Sequence, residues 1–282
     1  MIVVTGATGQ LGRLIIKGLL AKLPAAGIIA AVRDPARAAD LAALGVQVRR
    51  ADYTDPSSLD AAFDGARKVL LVSSNELGQR AAQHRNVVEA ASRARVELLA
   101  YTSVLHADTS ALGLAAEHRA TEADVRASGL AYSILRNGWY AENYTGGLKA
   151  ALERGVLMGG AGEGRIAAAA RADYAAAAVA VLTAAQAPEQ VYELAGDEAF
   201  TLAELATETA RQGGKPVVFH QLSKQEYRDA LLGFGLPAPI AELIADADAC
   251  AAKGALDDSG HALSRLIGRP SATLAAMVGT AL

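Results

Sequence analysis

Residues 5–12 read TGATGQLG, and this stretch decides the fold. It follows the apolar segment MIVV and precedes LGRLIIKGLLAKL, in which apolar residues recur at helical spacing. Between a strand and a helix, Gly6 allows a tight turn, Gly9 lets a pyrophosphate approach the backbone, and Gly12 lets the helix pack closely. The free N–H groups at the start of the helix favour a phosphate. The stretch therefore predicts a dinucleotide-binding turn, with a purely structural turn as the alternative.

Strand-like and helix-like segments alternate from residue 1 to residue 136. The strand-like ones are MIVVTG, GIIAAVR, VQVRRADY, ARKVLLVSS, VELLAYTSV and LAYSILR. Regular alternation predicts parallel βαβ units, and continuously apolar strands are typical of a sheet covered on both faces. We therefore predict an α/β fold with a Rossmann-type, doubly wound parallel sheet over residues 1–136, to which residues 172–196 return.

After Arg136 the alternation weakens, and residues 137–282 are predicted to form a smaller mixed α/β C-terminal lobe that binds the substrate. We expect a helix over 173–184, with Asp173 as a possible N-cap, and short strands in QVYELAG and KPVVFHQLS. Thr201 followed by Glu204 is a capping-box pattern, which is typical of the start of a helix.

The composition argues against several classes of protein. The chain has 282 residues, 52% of them hydrophobic, and its 27 basic and 30 acidic side chains give no basic surplus for nucleic acid. Cys250 is the single cysteine, which excludes an intrachain disulfide framework. The sequence has no signal-peptide pattern, no apolar run of about 18 residues and no His/Cys cluster with metal spacing. We expect a cytoplasmic protein, monomeric or homodimeric, without a metal, a membrane span or a nucleic-acid partner.

The end of the second strand-like segment indicates which dinucleotide binds. An NAD site places an acidic residue here for the ribose 2′-hydroxyl, whereas an NADP site places an arginine for the 2′-phosphate. The sequence offers Arg33 and then Asp34, which precedes Pro35 and is a natural N-cap for the next helix. Arg33 is then available for a charge-assisted contact with phosphate. We predict NADPH as the cofactor; the alternative for Arg33 is a solvated strand end.

Two further strand ends carry polar residues. Ser73 and Ser74 end the fourth strand-like segment and Asn75 comes directly after it, at a carboxyl end of the sheet, where ligands bind in such folds. We expect them to line the path from the ribose to the nicotinamide, with a plain loop as the alternative. Asp52 and Tyr53 end the third segment. Either both flank the adenine, or Asp52 only forms a turn.

No strong catalytic acid is evident. Short-chain dehydrogenases of this fold usually carry Tyr-x-x-x-Lys after the fifth strand, but Tyr101 is followed four residues later by Leu105, and Tyr132 by Arg136. Reducing a ketone makes an alkoxide with a basicity like that of hydroxide (pKa about 15.7), whereas a quinone gives a phenolate near about 10, a difference of roughly 8 kcal/mol. The pattern suits a quinone, or a protein that binds NADP(H) as a sensor. His118 is a remote candidate for a proton donor, with an ordinary helix-surface histidine as the alternative.

Several stretches together resemble a known family: VTGATGQLG, AAVRDPAR, GVQVRRADYTD, SSNELGQRAAQHRNVVEAA, YTSVLHADTS and LRNGWYAENY. They are similar to the NmrA-like atypical short-chain dehydrogenases, and within this family to the bacterial NADPH-dependent quinone oxidoreductases of type 2. The glycine loop is shared widely, whereas GQRAAQHRNV and RNGWYAENY are more particular. The resemblance implies a Rossmann domain, NADPH and two-electron reduction of a quinone. Its alternatives are an NADP(H)-binding redox sensor and a reductase of another conjugated acceptor, such as a triarylmethane dye.

The resemblance also implies which residues form the site. It puts Asn143 near the nicotinamide and the acceptor, and we expect Tyr140 and Asn143 to frame the quinone. Tyr140, Asn143 and His118 are the catalytic candidates, and none of them is assigned. Arg171 has an independent interpretation, a contact at the lobe interface. The predicted cofactor contacts are Gly6, Ala7, Thr8, Gly9, Gln10, Leu11, Gly12, Arg33, Ser73, Ser74, Asn75, Asn137, Gly138, Trp139, Tyr140, Ala141, Glu142 and Arg171.

The segment LRNGWYAENY concentrates aromatic residues in a chain with only 5% of them. Flat apolar rings with polar edges suit a quinone, and Gly138 allows a sharp turn. We predict a turn whose near side lines the nicotinamide. The alternative, a hinge packed by aromatic side chains, applies above all to Trp139 and Tyr144.

Overall fold

The computed structural model describes residues 1–185 and 191–282, so the start of the segment QVYELAG lies outside the described residues. The chain divides into two compact units. The first comprises Met1–Ala107, Ala116–Asn137 and Tyr174–Tyr192, and the second comprises Asp108–Ala115, Gly138–Asp173 and Glu193–Leu282.

The amino-terminal part alternates strands and helices, as predicted. In chain order its elements are β1 (Ile2–Thr5), α1 (Gln10–Leu20), β2 (Ile28–Val32), α2 (Ala39–Ala43), β3 (Gln47–Arg50), α3 (Pro56–Phe63), β4 (Lys68–Leu71), α4 (Arg80–Arg93), β5 (Leu98–Val104), α5 (Ala115–Ala127) and β6 (Tyr132–Asn137).

The remainder of the chain is richer in helices. Its elements are α6 (Glu142–Thr145), α7 (Leu148–Arg154), β7 (Val156–Gly159), α8 (Arg171–Thr183), β8 (Val191–Leu194), α9 (Leu202–Gly213), β9 (Val218–Gln221), α10 (Lys224–Gly233), α11 (Ala238–Ala251), α12 (Ala262–Ile267) and α13 (Leu274–Ala281).

Seven of these strands form one sheet in the order β3-β2-β1-β4-β5-β6-β8. The five pairings from β3 to β6 are all parallel, with Val3 opposite Ile29 and Leu71 opposite Tyr101. The predicted Rossmann-type α/β fold is therefore confirmed. The strand order reverses between β1 and β4, and ligands of such sheets bind beyond the carboxyl ends of the strands at this point.

The sheet is held by a continuous apolar core. Val3, Ile29, Val69 and Leu99 come from four adjacent strands, and Phe63 of α3 packs in the same cluster, each with no exposed surface. Side chains of this size stabilise a fold by about 1.5–3 kcal/mol each when fully buried. The core therefore provides a rigid base from which the strand ends present the loops described below.

Helix caps are present at three positions, and the sequence predicts those at Asp34 and Thr201. Asp34 accepts a hydrogen bond from the Ala36 N–H (3.0 Å), and Asp55 accepts one from the Ser58 N–H (3.3 Å). Thr201 and Glu204 form the reciprocal capping box at the start of α9. Each cap is worth roughly 1 kcal/mol, and each follows from neighbouring residues alone.

The second unit contains a small parallel sheet, in which β7 pairs with β9 so that Val156 lies opposite Val218. Among residues 1–185 and 191–282, no helix combines the length and apolar character that crossing a bilayer requires. Within the same ranges, no three His, Cys, Asp or Glu side chains are grouped as a metal would need.

Candidate functional site

The glycine loop joins β1 to α1. Gly6 has a φ of 58°, and its carbonyl accepts the Gly9 N–H at 2.9 Å, which closes the turn. A Cβ on Gly12 would lie 2.4 Å from the Gly6 carbonyl oxygen and 2.8 Å from the Ala7 Cα, so no larger residue fits. Gly9 begins the helix without a side-chain cap, and the first turn has no acidic residue. The first N–H groups of α1 therefore lack intrahelical partners and suit an anion.

Tyr53, in the segment that follows β3, supports the glycine loop through hydrogen bonds. The Tyr53 hydroxyl donates to the Val72 carbonyl at 2.8 Å and contacts Thr5 Oγ1, while Thr5 itself donates to the Leu70 carbonyl at 3.0 Å. These bonds fix the ends of β1 and β4 beside Gly6. Burial raises the pKa of Tyr53 above its usual value, so the hydroxyl keeps its proton.

Asp52, for which two roles were open, is a turn residue. Its Oδ1 accepts the backbone N–H of Thr54 at 2.9 Å and the Thr54 hydroxyl at 2.7 Å. This is an Asx turn, in which the side chain replaces a backbone acceptor.

Arg33 follows β2 and is not the free cation that the sequence predicted. Its Nη1 lies 2.6 Å from Oε1 of Glu76, in the loop after β4, and the two side chains are 67% and 41% exposed. The expectation overlooked this partner because Glu76 is distant in sequence. Such exposed pairs contribute only about 0–1 kcal/mol, so a phosphate competes readily for the guanidinium.

The loop after β4 is held through its backbone. The Ser73 N–H donates to Thr102 Oγ1 and the Ser74 N–H donates to Nε2 of His84, both at 2.9 Å. Arg80 Nε donates to the Ser74 carbonyl at 2.6 Å. Asn75 is exposed at the tip. The serine backbone is thus anchored by side chains from β5 and α4.

His118 of α5 is buried rather than at the helix surface, which corrects the alternative considered above. It is 5% exposed, and its Nδ1 lies 2.6 Å from the hydroxyl of the fully buried Tyr101. Burial, with the nearby charge of Arg80, lowers the pKa of His118 to about 3. The imidazole is therefore neutral at pH 7 and holds no acidic proton to give, which argues against a role as the proton donor.

Asn137 ends β6 in the first unit. It is 5% exposed, and its Oδ1 has no hydrogen-bond partner among the residues that the structure describes. Its backbone carbonyl accepts the Leu105 N–H at 2.9 Å. A buried amide oxygen without a partner costs stability unless a ligand or water pairs with it.

The segment after Asn137 belongs to the second unit and is fixed by backbone bonds. The Gly138 N–H donates to the Leu194 carbonyl at 2.7 Å, and the Ala141 N–H donates to the Ala169 carbonyl at 2.9 Å. The Trp139 carbonyl accepts the Ala169 N–H at 3.3 Å. Residues 138–141 are therefore held in place by backbone hydrogen bonds to residues 169 and 194, with an isolated parallel bridge between Tyr140 and Ala169.

Glu142, Tyr140 and Arg171 form one cluster in the second unit. The Glu142 carboxylate accepts the Arg171 N–H at 3.0 and 3.1 Å and so caps α8. The Arg171 guanidinium lies 4.7 Å from the centre of the Tyr140 ring, a cation–π contact worth about 0.5–2 kcal/mol.

Asp173 does not cap α8, contrary to the prediction, because the helix begins two residues earlier, at Arg171. Its carboxylate accepts instead from Arg269 Nη2 at 2.6 Å and from the Ala272 N–H at 3.0 Å.

Asn143 is exposed on α6, whereas the Tyr144 hydroxyl donates to Asp248. Tyr144 is thus a packing residue, which agrees with the alternative interpretation of the segment as a hinge packed by aromatic side chains.

A family model described as NAD(P)H-binding matches residues 6–185 of this chain. The chain belongs to this NAD(P)H-binding family.

Individual relatives extend the similarity over the whole chain. Quinone oxidoreductase 2 of Escherichia coli is 54% identical over 278 residues, which cover 99% of this chain and 97% of that protein. The crystal structure of the NADPH-dependent quinone oxidoreductase QOR2 from Escherichia coli, complexed with NADPH, matches with a TM-score of 0.97, 53% identity and 99% coverage of both chains. Triphenylmethane reductase of Citrobacter sp., complexed with NADP(H), matches with a TM-score of 0.96, 38% identity and full coverage of both chains. The family resemblance stated from the sequence motifs is thus confirmed.

The residues of the first unit fit the dinucleotide that this NAD(P)H-binding family takes. The turn at Gly6, the room that Gly12 leaves and the uncapped start of α1 together make a cradle for a pyrophosphate. Arg33 and the loop from Ser73 to Asn75 follow β2 and β4, on either side of β1 in the sheet. The predicted cofactor contacts that follow β1, β2 and β4 therefore lie together at the carboxyl ends of three adjacent strands.

The sequence does not assign the residues that hold these strand ends in place. Arg80, His84 and Thr102 bond the loop after β4, and Tyr53, which the sequence places near the adenine, bonds the Val72 carbonyl. The motif GQRAAQHRNV contains Arg80 and His84, and the sequence marked it only as particular to the family. A charged and a titratable side chain at i and i+4 of one helix was the available signal.

Proposed function

We propose that this chain is an NADPH-dependent quinone oxidoreductase, which reduces a quinone to the hydroquinone. NADPH, when bound, supplies the hydride. The observation that carries the proposal is the end-to-end similarity to quinone oxidoreductase 2, at 54% identity, together with the pyrophosphate cradle at Gly6–Gly12.

The buried side chains Tyr101 and His118 favour an acceptor whose reduced form is a weakly basic anion. Burial raises the pKa of Tyr101 and lowers that of His118 to about 3, so neither is matched to proton transfer near pH 7. A quinone needs less help than a ketone, because its reduced form is a phenolate that is roughly 6 pKa units less basic than an alkoxide. Water is a sufficient proton source for such an anion.

The residues of the first unit then act by binding and orientation. Backbone N–H groups at the start of α1 hold the pyrophosphate, and Arg33 binds the 2′-phosphate, which selects NADPH over NADH. The loop from Ser73 to Asn75 positions the ribose. Correct positioning alone can lower a barrier by several kcal/mol.

The second unit supplies the remaining predicted contacts. Gly138 to Glu142 and Arg171 are proposed cofactor contacts, and Tyr140 and Asn143 are proposed to frame the quinone. These assignments rest on matching motifs. Asn143 is exposed and Tyr140 carries the Arg171 cation on its ring, so both are open to test by substitution.

Steady-state kinetics test the proposed function directly. We expect oxidation of NADPH, followed at 340 nm, with benzoquinone and menadione as acceptors, and a much lower kcat/KM with NADH. Heat-inactivated protein gives the uncatalysed rate. Turnover no faster than that rate with every quinone contradicts the proposal.

A second acceptor class is favoured by one observation, the full-length match to triphenylmethane reductase at 38% identity. A triarylmethane dye is a delocalised cation that takes a hydride and needs no proton. The site without a strong acid therefore suits this acceptor as well. Loss of colour of crystal violet with NADPH, compared with the quinone rate on the same preparation, decides which acceptor is preferred.

We also propose that the protein works in the cytoplasm, as a monomer or a homodimer. One cysteine, buried in the second unit, is consistent with a reducing compartment, where NADPH is regenerated. Cell fractionation tests the location, and light scattering coupled to gel filtration measures the oligomeric state.

A further inference from the structure

The loop after β4 is held by a chain of buried side chains in the first unit. His84 of α4 has no exposed surface. Its Nε2 accepts the Ser74 N–H, and its Nδ1 lies 2.9 Å from Thr121 Oγ1. Because the Thr121 hydroxyl donates to the Glu117 carbonyl at 3.0 Å, it accepts from His84, so the proton of the imidazole is on Nδ1.

The same environment keeps His84 a hydrogen-bond acceptor. Burial, with the charge of Arg80, lowers the pKa of His84 to about 3. A neutral imidazole with its proton on Nδ1 presents a lone pair at Nε2 to the Ser74 N–H at neutral pH. Protonation would remove this acceptor and turn Ser74 away.

Arg80 holds the other side of the same peptide. It is 8% exposed, its Nε donates to the Ser74 carbonyl at 2.6 Å, and its Nη1 lies 3.8 Å from Oε2 of Glu117. Nη1 makes no hydrogen bond within the described part of the chain. A buried guanidinium nitrogen that has an ion-pair partner at 3.8 Å but no hydrogen bond costs stability. The arrangement is therefore poorly explained by stability alone.

Helix α5 backs both groups. Glu117 Oε1 accepts the Gly78 N–H at 3.0 Å, and Thr121, one turn later, fixes His84. Short-chain dehydrogenases of this fold usually carry an acidic tyrosine and a lysine after the fifth strand, whereas this α5 directs Glu117 to the loop after β4 and Thr121 to His84.

We propose that His84 and Arg80, backed by Thr121 and Glu117 of α5, are positioning residues that hold the loop Ser73–Asn75 in the conformation that binds NADPH. The inference rests on the proposed function, because it takes NADPH as the ligand of this loop. It gives α5 a role in cofactor binding instead of acid catalysis.

Two matched pairs of variants test the inference. His84→Met removes the acceptor and keeps the volume, whereas His84→Gln keeps an oxygen acceptor. Thr121→Val removes the hydroxyl, whereas Thr121→Ser keeps it. Val88→Ala, a cavity in the same helix away from the loop, controls for lost stability. If His84→Met does not fold, the inference is tested with Thr121→Val instead.

The first readout is NADPH affinity, measured by fluorescence titration without quinone. We expect His84→Met to raise the Kd about tenfold to a hundredfold, because the Ser74 N–H loses its acceptor and the loop leaves the conformation that binds NADPH, and His84→Gln to raise it by less than about threefold. Thr121→Val should fall between them, and its serine control should match the wild type. In steady state the loss should appear in KM for NADPH more than in kcat.

The second readout is hydrogen exchange at the Ser74 amide, which needs no cofactor. The two variants are compared under conditions where they have lost the same amount of Tm relative to the wild type. Faster exchange of the Ser74 amide in His84→Met than in Val88→Ala then supports the positioning role of His84. An unchanged Ser74 amide in folded His84→Met, or an equal rise of Kd in Val88→Ala, overturns it. If exchange rises as expected but wild-type protein binds no NADPH, the proposed function fails while the positioning of the loop stands.

Discussion

The hydroxyl of Tyr144, on α6, donates a hydrogen bond of 3.2 Å to Oδ1 of Asp248, on α11. The other carboxylate oxygen accepts the Gly160 N–H at 2.8 Å, and Asp248 is 1% exposed. Burial raises the pKa of Asp248 to about 6, and the ring of Tyr227 lies beside the same site. This buried carboxyl therefore anchors the end of the aromatic segment and titrates near neutral pH.

Asp248→Asn should change how stability depends on pH. The folded state binds the carboxyl proton more tightly than the unfolded chain, whose pKa is near 3.8. The wild type therefore loses unfolding free energy as the pH rises from 4 to above 6, by roughly 3 kcal/mol for a pKa near 6. The asparagine variant lacks this loss. Urea unfolding at pH 4, 5, 6 and 7 measures it.

Asp246→Asn is the matched control, because it lies on the same helix and has the opposite sign. Burial acts to raise the pKa of Asp246, but hydrogen bonds from Lys224 and Gly113 outweigh it and lower the pKa. Wild-type stability from this group is therefore lost on acidification. If the unfolding free energies of Asp248→Asn and the wild type change in parallel with pH, the raised pKa of Asp248 is contradicted.

The sequence predicted the fold correctly because its signals are local. Strand and helix periods, the glycine spacing and the caps at Asp34 and Asp55 each involve residues a few positions apart. The pairing of Tyr144 with Asp248 joins residues 104 apart, and the cap that Glu142 provides joins residues 29 apart. No local pattern specifies such partners, so the sequence favours Asp173 as the cap in place of Glu142.

Gly12→Ala should weaken both folding and NADPH binding. A methyl group here would meet the Gly6 carbonyl oxygen at 2.4 Å, so the turn must open. We expect a loss of about 1–3 kcal/mol in unfolding free energy, as for other overpacked sites, and a rise in the Kd of NADPH. Gly27→Ala is the control, since nothing lies within 4 Å of its added methyl group. Equal Kd values for the two variants would exclude the proposed cradle.

The ion pair between Arg33 and Glu76 predicts opposite effects of two substitutions. Arg33→Ala removes a charge-assisted bond to the 2′-phosphate and should raise the Kd of NADPH roughly tenfold or more, with NADH unaffected. Glu76→Gln removes the competing carboxylate and should tighten NADPH binding. Both variants should unfold like the wild type, because the pair is exposed. Titrations with NADPH and NADH measure the selectivity.

If Arg33→Ala still prefers NADPH over NADH as strongly as the wild type does, a cation other than Arg33 binds the 2′-phosphate. The double variant extends the test: once Arg33 is absent, Glu76→Gln should improve NADPH binding less than it does in the wild type. The difference is the coupling between the two side chains.

Tyr140→Phe and Asn143→Ala should both raise KM for the quinone. The phenylalanine keeps the ring against the Arg171 guanidinium, 4.7 Å away, so this variant removes only the hydroxyl. Asn143 is exposed, and its truncation should change unfolding free energy by less than about 0.5 kcal/mol. We expect the Kd of NADPH to stay near the wild-type value for Asn143→Ala, which separates quinone binding from cofactor binding. If both variants reduce menadione with wild-type KM and kcat, the aromatic segment does not frame the acceptor, and its order serves the fold alone.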